Sequence, residues 1–315
     1  MKRSQKQTFI LDTVFNIKKI IMNRKIKLFR NALLGVQVLL LAFSTMWFDD
    51  EIKGWWNRTI TPIVEQSTKS PNVTVHTDMV TITGLDRKRS LHIYTPSDYQ
   101  TSGKRYPVMY MFDAHRLFDV KTTSRDEEGI DEFLDAAIAN GEQELIIVAI
   151  EASSHRSTEM NPYDSRNNTK NEADIFMRFI VEELKPMIDE QYRTLPDRKN
   201  TGIMGASLGG LMSFYTIMHY PNIFSKAGVL SPSFLHSEKV FDLPNSLSNS
   251  DIKIYMNVGE QEFVGMKTVF HLMEQQLQNN GFTDQHLKTK IVAGGGHEAK
   301  VWSDGFAEAY DWFWK

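Results

Sequence analysis

The 315 residues carry 36 Lys and Arg against 39 Asp and Glu, a formal net charge of −3, and contain no cysteine. The missing thiols exclude a cysteine nucleophile, a disulfide-stapled scaffold, and zinc or iron–sulfur sites held by cysteine. With 41% hydrophobic and 24% charged residues, the composition is that of a folded globular protein with a large core. The length fits one large domain or two small ones.

The charge is unevenly distributed along the chain. Residues 1–30 hold nine basic side chains and one acid, a net charge of +8, so the other 285 residues carry −11. An uncharged, mostly apolar run follows at 31–48, and this order is typical of a secretory signal or a membrane anchor. Residues 1–48 are therefore predicted to direct the rest of the chain out of the cytoplasm, secreted or membrane-anchored. The alternative is an amphipathic helix on a cytoplasmic protein. No nucleic-acid partner is predicted for the acidic remainder.

A folded body is predicted at 73–315, preceded by a polar linker at 49–72. The body begins with two β-branched, alternating runs at 73–83 and 90–95, which predict a hairpin. Short apolar runs with the length of buried parallel strands follow at 108–112, 145–150, 200–204, 227–230, 253–258 and 287–292. Helical patterns lie between them at 130–140, 172–192, 208–220, 266–280 and 302–313.

The alternation of strands and helices predicts an α/β fold. We expect a mostly parallel central sheet covered by helices on both faces, with the antiparallel hairpin at one edge. In such sheets, ligand sites form at the carboxyl ends of the strands. The residues that follow each predicted strand are therefore the candidates for function.

Residues 205–210, Gly-Ala-Ser-Leu-Gly-Gly, lie between a predicted strand and a predicted helix. This is the G-x-S-x-G pattern in the strand, turn and helix context of a nucleophile elbow, and it predicts an α/β-hydrolase fold with Ser207 as nucleophile. Glycines two positions either side of the serine avoid clashes across the tight turn. The helix N-terminus favours the negative charge that develops in the reaction. A purely structural glycine-rich turn is the alternative.

A serine nucleophile needs a base, and the base needs an acid that orients it. In this fold both follow the serine along the chain, the acid before the histidine. His297 is the predicted base because it lies in a glycine-rich loop directly after the strand predicted at 287–292. Glu260 and Glu262 both follow the carboxyl end of the strand predicted at 253–258. Glu262 is the preferred acid and Glu260 is the alternative.

The oxyanion formed in acyl transfer needs two N–H donors. One is predicted to be the amide of Leu208, and the other the amide of Ala114 or His115 in the loop after the strand at 108–112. A metal site of His115 with Asp113 and Asp119 is disfavoured, because all three ligands would come from seven loop residues. No metal and no other cofactor is predicted.

Four ordered segments now carry a family resemblance. Residues 110–119, 183–194, 205–210 and 294–298 resemble the enterochelin-esterase-like putative esterase family of α/β-hydrolases. The resemblance spans about residues 73–315 and implies a serine esterase that acts on a small-molecule ester through Ser207 and His297. The family's G-x-x-acid position falls on Glu262. Where the family often has Asp-Gly, this chain has Asp113 and Ala114, which leaves the backbone donor in place.

The resemblance fixes the reaction chemistry better than the substrate. The family includes acyltransferases, so acyl transfer to a sugar or lipid acceptor is a second hypothesis, and a binding module on a hydrolase scaffold is a third. Two loops, 152–168 and 231–238, follow predicted strands and are expected to overhang an open site. The candidate substrate contacts are Asp113, Arg156, Tyr163, Arg166 and Phe234.

Overall fold

The computed structural model describes residues 66–123, 126–163, 172–246 and 251–314. The segment predicted at 1–48, most of the predicted linker and Arg166 lie outside these residues. The described end of the linker contacts the folded body: the Ser67 hydroxyl donates to the Asp119 carboxylate (2.6 Å), and the Ser70 N–H donates to the Asp131 carboxylate (2.7 Å). Within the described ranges, no helix is both long enough and apolar enough to cross a membrane.

The described residues contain one sheet of eight strands in the order β1-β2-β4-β3-β5-β6-β7-β8. The strands are β1 Val73–Ile82, β2 Arg87–Tyr94, β3 Val108–Phe112, β4 Ile146–Ile150, β5 Thr201–Ala206, β6 Lys226–Leu230, β7 Lys253–Gly259 and β8 Leu287–Val292. The α-helices in the same residues are α1 Ile130–Ala139, α2 Arg156–Glu159, α3 Glu172–Arg178, α4 Lys185–Gln191, α5 Leu208–His219, α6 Met266–Asn279 and α7 Ala299–Trp314.

The pairing of the strands confirms the predicted fold. Strands β1 and β2 form an antiparallel hairpin at one edge, and β2 also pairs antiparallel with β4. From β4 through β3 to β8 every neighbouring pair is parallel. The carboxyl ends of these parallel strands therefore meet at one edge of the sheet, where a site is expected.

Hydrophobic cores cover both faces of the sheet, as the alternation of β3 illustrates. Tyr110 and Phe112 enter a core built with α3, α5 and α6, while Met109 and Met111 enter a second core built with α1 and α7. Successive side chains of a strand point to opposite faces, so a strand buried on both sides needs apolar residues at every position. The all-apolar sequence of β3 meets this requirement.

Two of the predicted helices differ from the structure by more than one residue at an end. The last helix, α7, begins at Ala299 rather than Trp302. The helix predicted at 172–192 is divided by a π-helical segment, Phe179–Leu184, between α3 and α4. Pro186 follows this segment and explains it, because a proline ring clashes with the carbonyl four residues earlier in a regular α-helix.

Gly210, in the first turn of α5, packs so closely against β6 that a large effect of substitution on stability is expected. A Cβ on Gly210 would lie 2.6 Å from the Leu230 carbonyl oxygen, whereas a Cβ on the exposed Gly103 meets nothing within 4 Å. We expect Gly210→Ala to lower the free energy of unfolding by about 2 kcal/mol or more, and Gly103→Ala to leave it unchanged or raise it by less than about 1 kcal/mol. Urea unfolding followed by tryptophan fluorescence measures both. Equal stability of the two variants would contradict the prediction.

Candidate active site

Ser207 lies in the turn between β5 and α5, where the sequence predicts an elbow. Its backbone has φ 61° and ψ −118°, a conformation that is costly for a residue with a side chain. The neighbouring glycines make the turn sterically allowed: a Cβ on Gly205 would lie 2.9 Å from the Gly209 carbonyl carbon, and one on Gly209 would lie 3.2 Å from Phe112 Cβ. The crowding expected from the G-x-S-x-G pattern is therefore present.

Backbone hydrogen bonds fix the elbow to the strand beside it. The Ser207 N–H donates to the Leu230 carbonyl (2.9 Å), and the Ser233 N–H donates to the Ser207 carbonyl (3.1 Å). The Ser207 hydroxyl lies 3.3 Å from the Ser233 hydroxyl. No hydrogen bond between Ser207 Oγ and His297 occurs among the described side chains. A hydroxyl on a serine turns about a single bond, so its partner changes without movement of the backbone.

The structure brings His297 to Glu262. His297 Nδ1 lies 2.8 Å from Glu262 Oε2, and the side chains are 17% and 0% exposed respectively. The other carboxylate oxygen accepts hydrogen bonds from the Gly259 N–H (2.8 Å) and the Ser231 hydroxyl (2.5 Å). A carboxylate with three donors is held in one orientation, and it in turn fixes the imidazole tautomer with the proton on Nδ1.

Glu260, the alternative acid, is placed differently. Its Oε2 accepts a hydrogen bond from the Gly294 N–H (3.0 Å), and the residue is exposed. It therefore supports the backbone of the glycine-rich loop that carries His297 and does not contact the imidazole. The geometry separates two glutamates that the sequence leaves as alternatives.

Ser231 and Trp302 are site residues that the sequence analysis does not single out. The Trp302 indole N–H donates to Ser231 Oγ (2.9 Å), the same oxygen that donates to Glu262. The indole also packs edge-on against the His297 ring, with centroids 5.1 Å apart. Ser231 is fully buried at φ 41°. The available signals are a polar residue directly after a buried strand and an indole five residues beyond His297.

Two of the amides predicted as oxyanion donors lie at the carboxyl edge of the sheet. Leu208 begins α5, and Ala114 begins a short 3₁₀ helix, Ala114–Arg116, after β3. The first N–H groups of a helix have no acceptor within it. Because β3 and β5 are parallel neighbours, both amides lie at the same edge. His115 is the other predicted donor, and its ring Nδ1 lies 3.1 Å from Glu151 Oε1.

Asp113 and Arg156 form a two-bonded ion pair beside the elbow. Arg156 Nε donates to Asp113 Oδ1 (2.5 Å), and Arg156 Nη2 donates to Asp113 Oδ2 (2.7 Å). Arg156 Nη2 also reaches the Ala206 carbonyl (3.4 Å). The pair connects the loop after β3 to the end of β5, the strand that precedes Ser207. Arg156, a predicted substrate contact, therefore has a carboxylate of the protein as its ion-pair partner.

A narrow recess opens at Ser207 and is lined in part by Asp113, Arg156, Arg116, Glu128 and Trp302. Burial raises the pKa of Glu128 to about 8, although Arg116 Nε lies only 3.8 Å from its carboxyl group and opposes the shift. Among the described residues, no group of three His, Asp or Glu side chains is arranged to hold a metal ion.

The other predicted substrate contacts do not line this recess. Tyr163 packs edge-on against Tyr215 (centroids 6.0 Å apart), and Tyr215 lies on α5 about 12 Å along the helix from Ser207. Phe234 is buried and packs against Phe214, with ring centroids 5.1 Å apart. Both residues therefore pack against α5, Phe234 within the core and Tyr163 at its edge. Arg166 lies outside the described residues.

The parallel sheet with a serine elbow, its adjacent histidine loop and its strand order define an α/β-hydrolase. Residues 82–313 match the model of the Esterase family, described as "Putative esterase". The chain belongs to this family and is a carboxylic ester hydrolase.

Three individual proteins that resemble this chain share between 20% and 29% of their aligned residues with it. The uncharacterized protein YbbA of Bacillus subtilis is 25% identical over 241 residues, covering 72% of this chain and 92% of YbbA. The ferri-bacillibactin esterase BesA of Bacillus subtilis is 29% identical over 182 residues, covering 50% of this chain and 60% of BesA. The solved BES protein from Bacillus cereus superposes with a TM-score of 0.65 at 20% identity, over 80% of this chain and 100% of the BES chain. At 20% identity, the similarity to the BES protein shows a shared fold and no more.

Proposed function

We propose that the protein hydrolyses small-molecule carboxylic esters through an acyl-serine intermediate, with Ser207 as nucleophile, His297 as base and Glu262 as the acid that orients it. The observation that carries the proposal is the 2.8 Å contact of His297 Nδ1 with the buried Glu262 carboxylate, on loops beside the elbow. This contact leaves the other imidazole nitrogen, Nε2, available as a proton acceptor.

The proposed reaction has two steps. Ser207 Oγ attacks the ester carbonyl carbon while His297 Nε2 takes the hydroxyl proton, and the amides of Leu208 and of Ala114 or His115 donate hydrogen bonds to the oxyanion. Collapse of this intermediate breaks the bond to the alcohol oxygen, which leaves with the proton from His297. Water then repeats the sequence on the acyl-serine and releases the acid. The Ser207 hydroxyl must turn from Ser233 to His297 for the first step.

The acyl-serine is also the intermediate of the acyltransfer hypothesis, in which a sugar or lipid hydroxyl replaces water. The two reactions are separated by their products when an ester is supplied with and without candidate acceptors. The name of BesA makes siderophore-type esters one class for this screen, beside acetyl and aryl esters. The basic and apolar sequence of residues 1–48 supports the separate proposal that the catalytic domain lies outside the cytoplasm, secreted or anchored to the membrane, with a cytoplasmic location as alternative.

A fluorophosphonate probe tests the nucleophile directly. Such probes phosphonylate a serine only where a base and an oxyanion site activate it. We expect one label per chain, on Ser207, in the tryptic peptide Asn200–Lys226. This peptide also contains the buried Ser213 and Ser225, which serve as internal controls. Absence of labelling on the folded protein, or a label on another serine, would overturn the assignment of Ser207.

A further inference from the structure

Exposed apolar side chains are concentrated on one side of the proposed active site. Five large apolar side chains are substantially exposed in the part of the chain that the structure describes, and three of them are Leu235 (50%), Phe263 (65%) and Val264 (100%). Leu235 follows β6, and the other two follow β7. Single exposed apolar residues are common on protein surfaces, whereas a cluster of them marks a binding surface.

The three side chains belong to one surface, which we call the alcohol-side rim. The Phe263 ring packs against the His297 ring, with centroids 5.2 Å apart. Leu235 lies against the backbone of Gly265, two residues after Phe263. A Cβ on Gly265 would lie 3.3 Å from Leu235 Cδ2. The rim thus begins at the imidazole and extends outward across the two loops.

Two acids near the rim form hydrogen bonds with the loop that carries His297. The Glu260 carboxylate accepts from the Gly294 N–H (3.0 Å), and the Glu298 carboxylate accepts from the Gly296 N–H (3.1 Å). Both acids are therefore engaged by the backbone of the loop that precedes His297.

The chemistry of the site determines which part of a substrate meets this surface. In acyl transfer to a serine, the histidine returns its proton to the departing alcohol oxygen, so the alcohol lies on the histidine side and the carbonyl oxygen on the oxyanion side. With His297 as base, Phe263 is the exposed apolar side chain in contact with the residue that returns the proton to the alcohol. We infer that the preferred substrates are esters of apolar alcohols, alkyl or aryl, rather than of sugars or other polyols. This inference rests on the proposed function.

A series of acetate esters tests the inference, because the acyl group stays constant while the alcohol grows from methyl to hexyl. Full burial of one methylene favours binding by about fourfold. A rim that contacts one side of the ester's alkyl chain provides part of this gain. We expect kcat/KM of the wild-type protein to rise at least about tenfold across the series. All esters are used below the concentration at which they aggregate, so that a preference for lipid interfaces does not contribute to the rates.

The variants Phe263→Ser and Val264→Ser are each expected to reduce this rise to less than about threefold. Phe263→Leu, which keeps an apolar side chain, is expected to retain most of it. Val75→Ser is the matched control, because Val75 is 44% exposed on the edge strand β1, away from the strand ends that form the site. It should reproduce the full wild-type rise. The slope, meaning the rise of kcat/KM from methyl to hexyl acetate, is compared between variants. Absolute rates are not compared, because loss of Phe263 also removes packing from His297.

The possible outcomes distinguish failure of the rim inference from failure of the proposed esterase function. If methyl acetate is hydrolysed but kcat/KM is flat across the wild-type series, or if glycerol and glucose acetates are preferred to hexyl acetate, the rim inference is overturned and the esterase mechanism stands. Unchanged slopes in Phe263→Ser and Val264→Ser also overturn it. If no ester is hydrolysed and Ser207 is not labelled, the proposed function fails and the inference fails with it.

Discussion

Ser207→Ala is expected to lower kcat for hydrolysis of a p-nitrophenyl ester by at least about 10⁴-fold. The alanine has no group that forms the acyl-enzyme, so only binding and oxyanion stabilisation remain for direct attack by water. A 10⁴-fold loss corresponds to about 5.5 kcal/mol of transition-state stabilisation. Release of p-nitrophenol, followed at 405 nm with background hydrolysis subtracted, measures the residual rate.

The matched control for this variant is Ser233→Ala. Ser233 Oγ lies 3.3 Å from Ser207 Oγ, so it is the hydroxyl that could be mistaken for the nucleophile. Its backbone lacks the elbow geometry, and Ser233→Ala should retain at least about a fifth of the activity, because it loses one long hydrogen bond to a neighbouring hydroxyl. Substantial hydrolysis by Ser207→Ala, or an equal loss in Ser233→Ala, would be incompatible with the proposed role of Ser207.

The features that the sequence predicts well are those encoded locally. The all-apolar run of β3 and the β-branched alternation of β1 each define a strand without knowledge of its neighbours. The elbow at 205–210 is a backbone requirement, because a serine at φ 61° needs glycines on both sides. The place of His297, in the loop directly after β8, follows from the strand predicted before it. Each of these predictions needs only a few adjacent residues.

The features that the sequence analysis does not resolve depend on contacts between distant segments. Ser231 becomes part of the site because Trp302, 71 positions later, donates to its hydroxyl. Phe234 follows a strand end, as a substrate-binding residue would, but a 3₁₀ turn buries it against Phe214. Arg156 has the charge to bind an anion, and the fold gives it Asp113 as a partner. Burial and pairing are properties of the folded chain, and periodicity does not report them.

The acid residue is the clearest example of a choice that requires the structure. Glu260 and Glu262 are two positions apart after the same strand, so every argument from chain order applies to both. In the fold, one carboxylate is buried against the imidazole and the other is exposed against the Gly294 amide. These environments predict different consequences for the same isosteric substitution.

Glu262→Gln is expected to lower kcat/KM by about 10²–10⁴-fold, and Glu260→Gln by less than about threefold. The Glu262 carboxylate accepts from the His297 ring, the Ser231 hydroxyl and the Gly259 amide at once. A glutamine in its place presents an NH₂ group to at least one of these donors, so a hydrogen bond is lost and the imidazole loses its fixed tautomer or its charge stabilisation. Glu260→Gln keeps an amide oxygen that still accepts from Gly294.

The two variants have the same change of charge and shape, so the comparison isolates the position. Initial rates on one ester across pH 6–9 provide kcat/KM for each, and thermal unfolding confirms that both remain folded. A large loss in Glu260→Gln with near-normal activity in Glu262→Gln would transfer the acid role to Glu260. Near-normal activity in both variants would remove a carboxylate from the mechanism and leave a Ser207–His297 pair. A selective loss at Glu262 requires instead that the buried carboxylate act on the reaction through His297, the one proposed reacting group that it contacts.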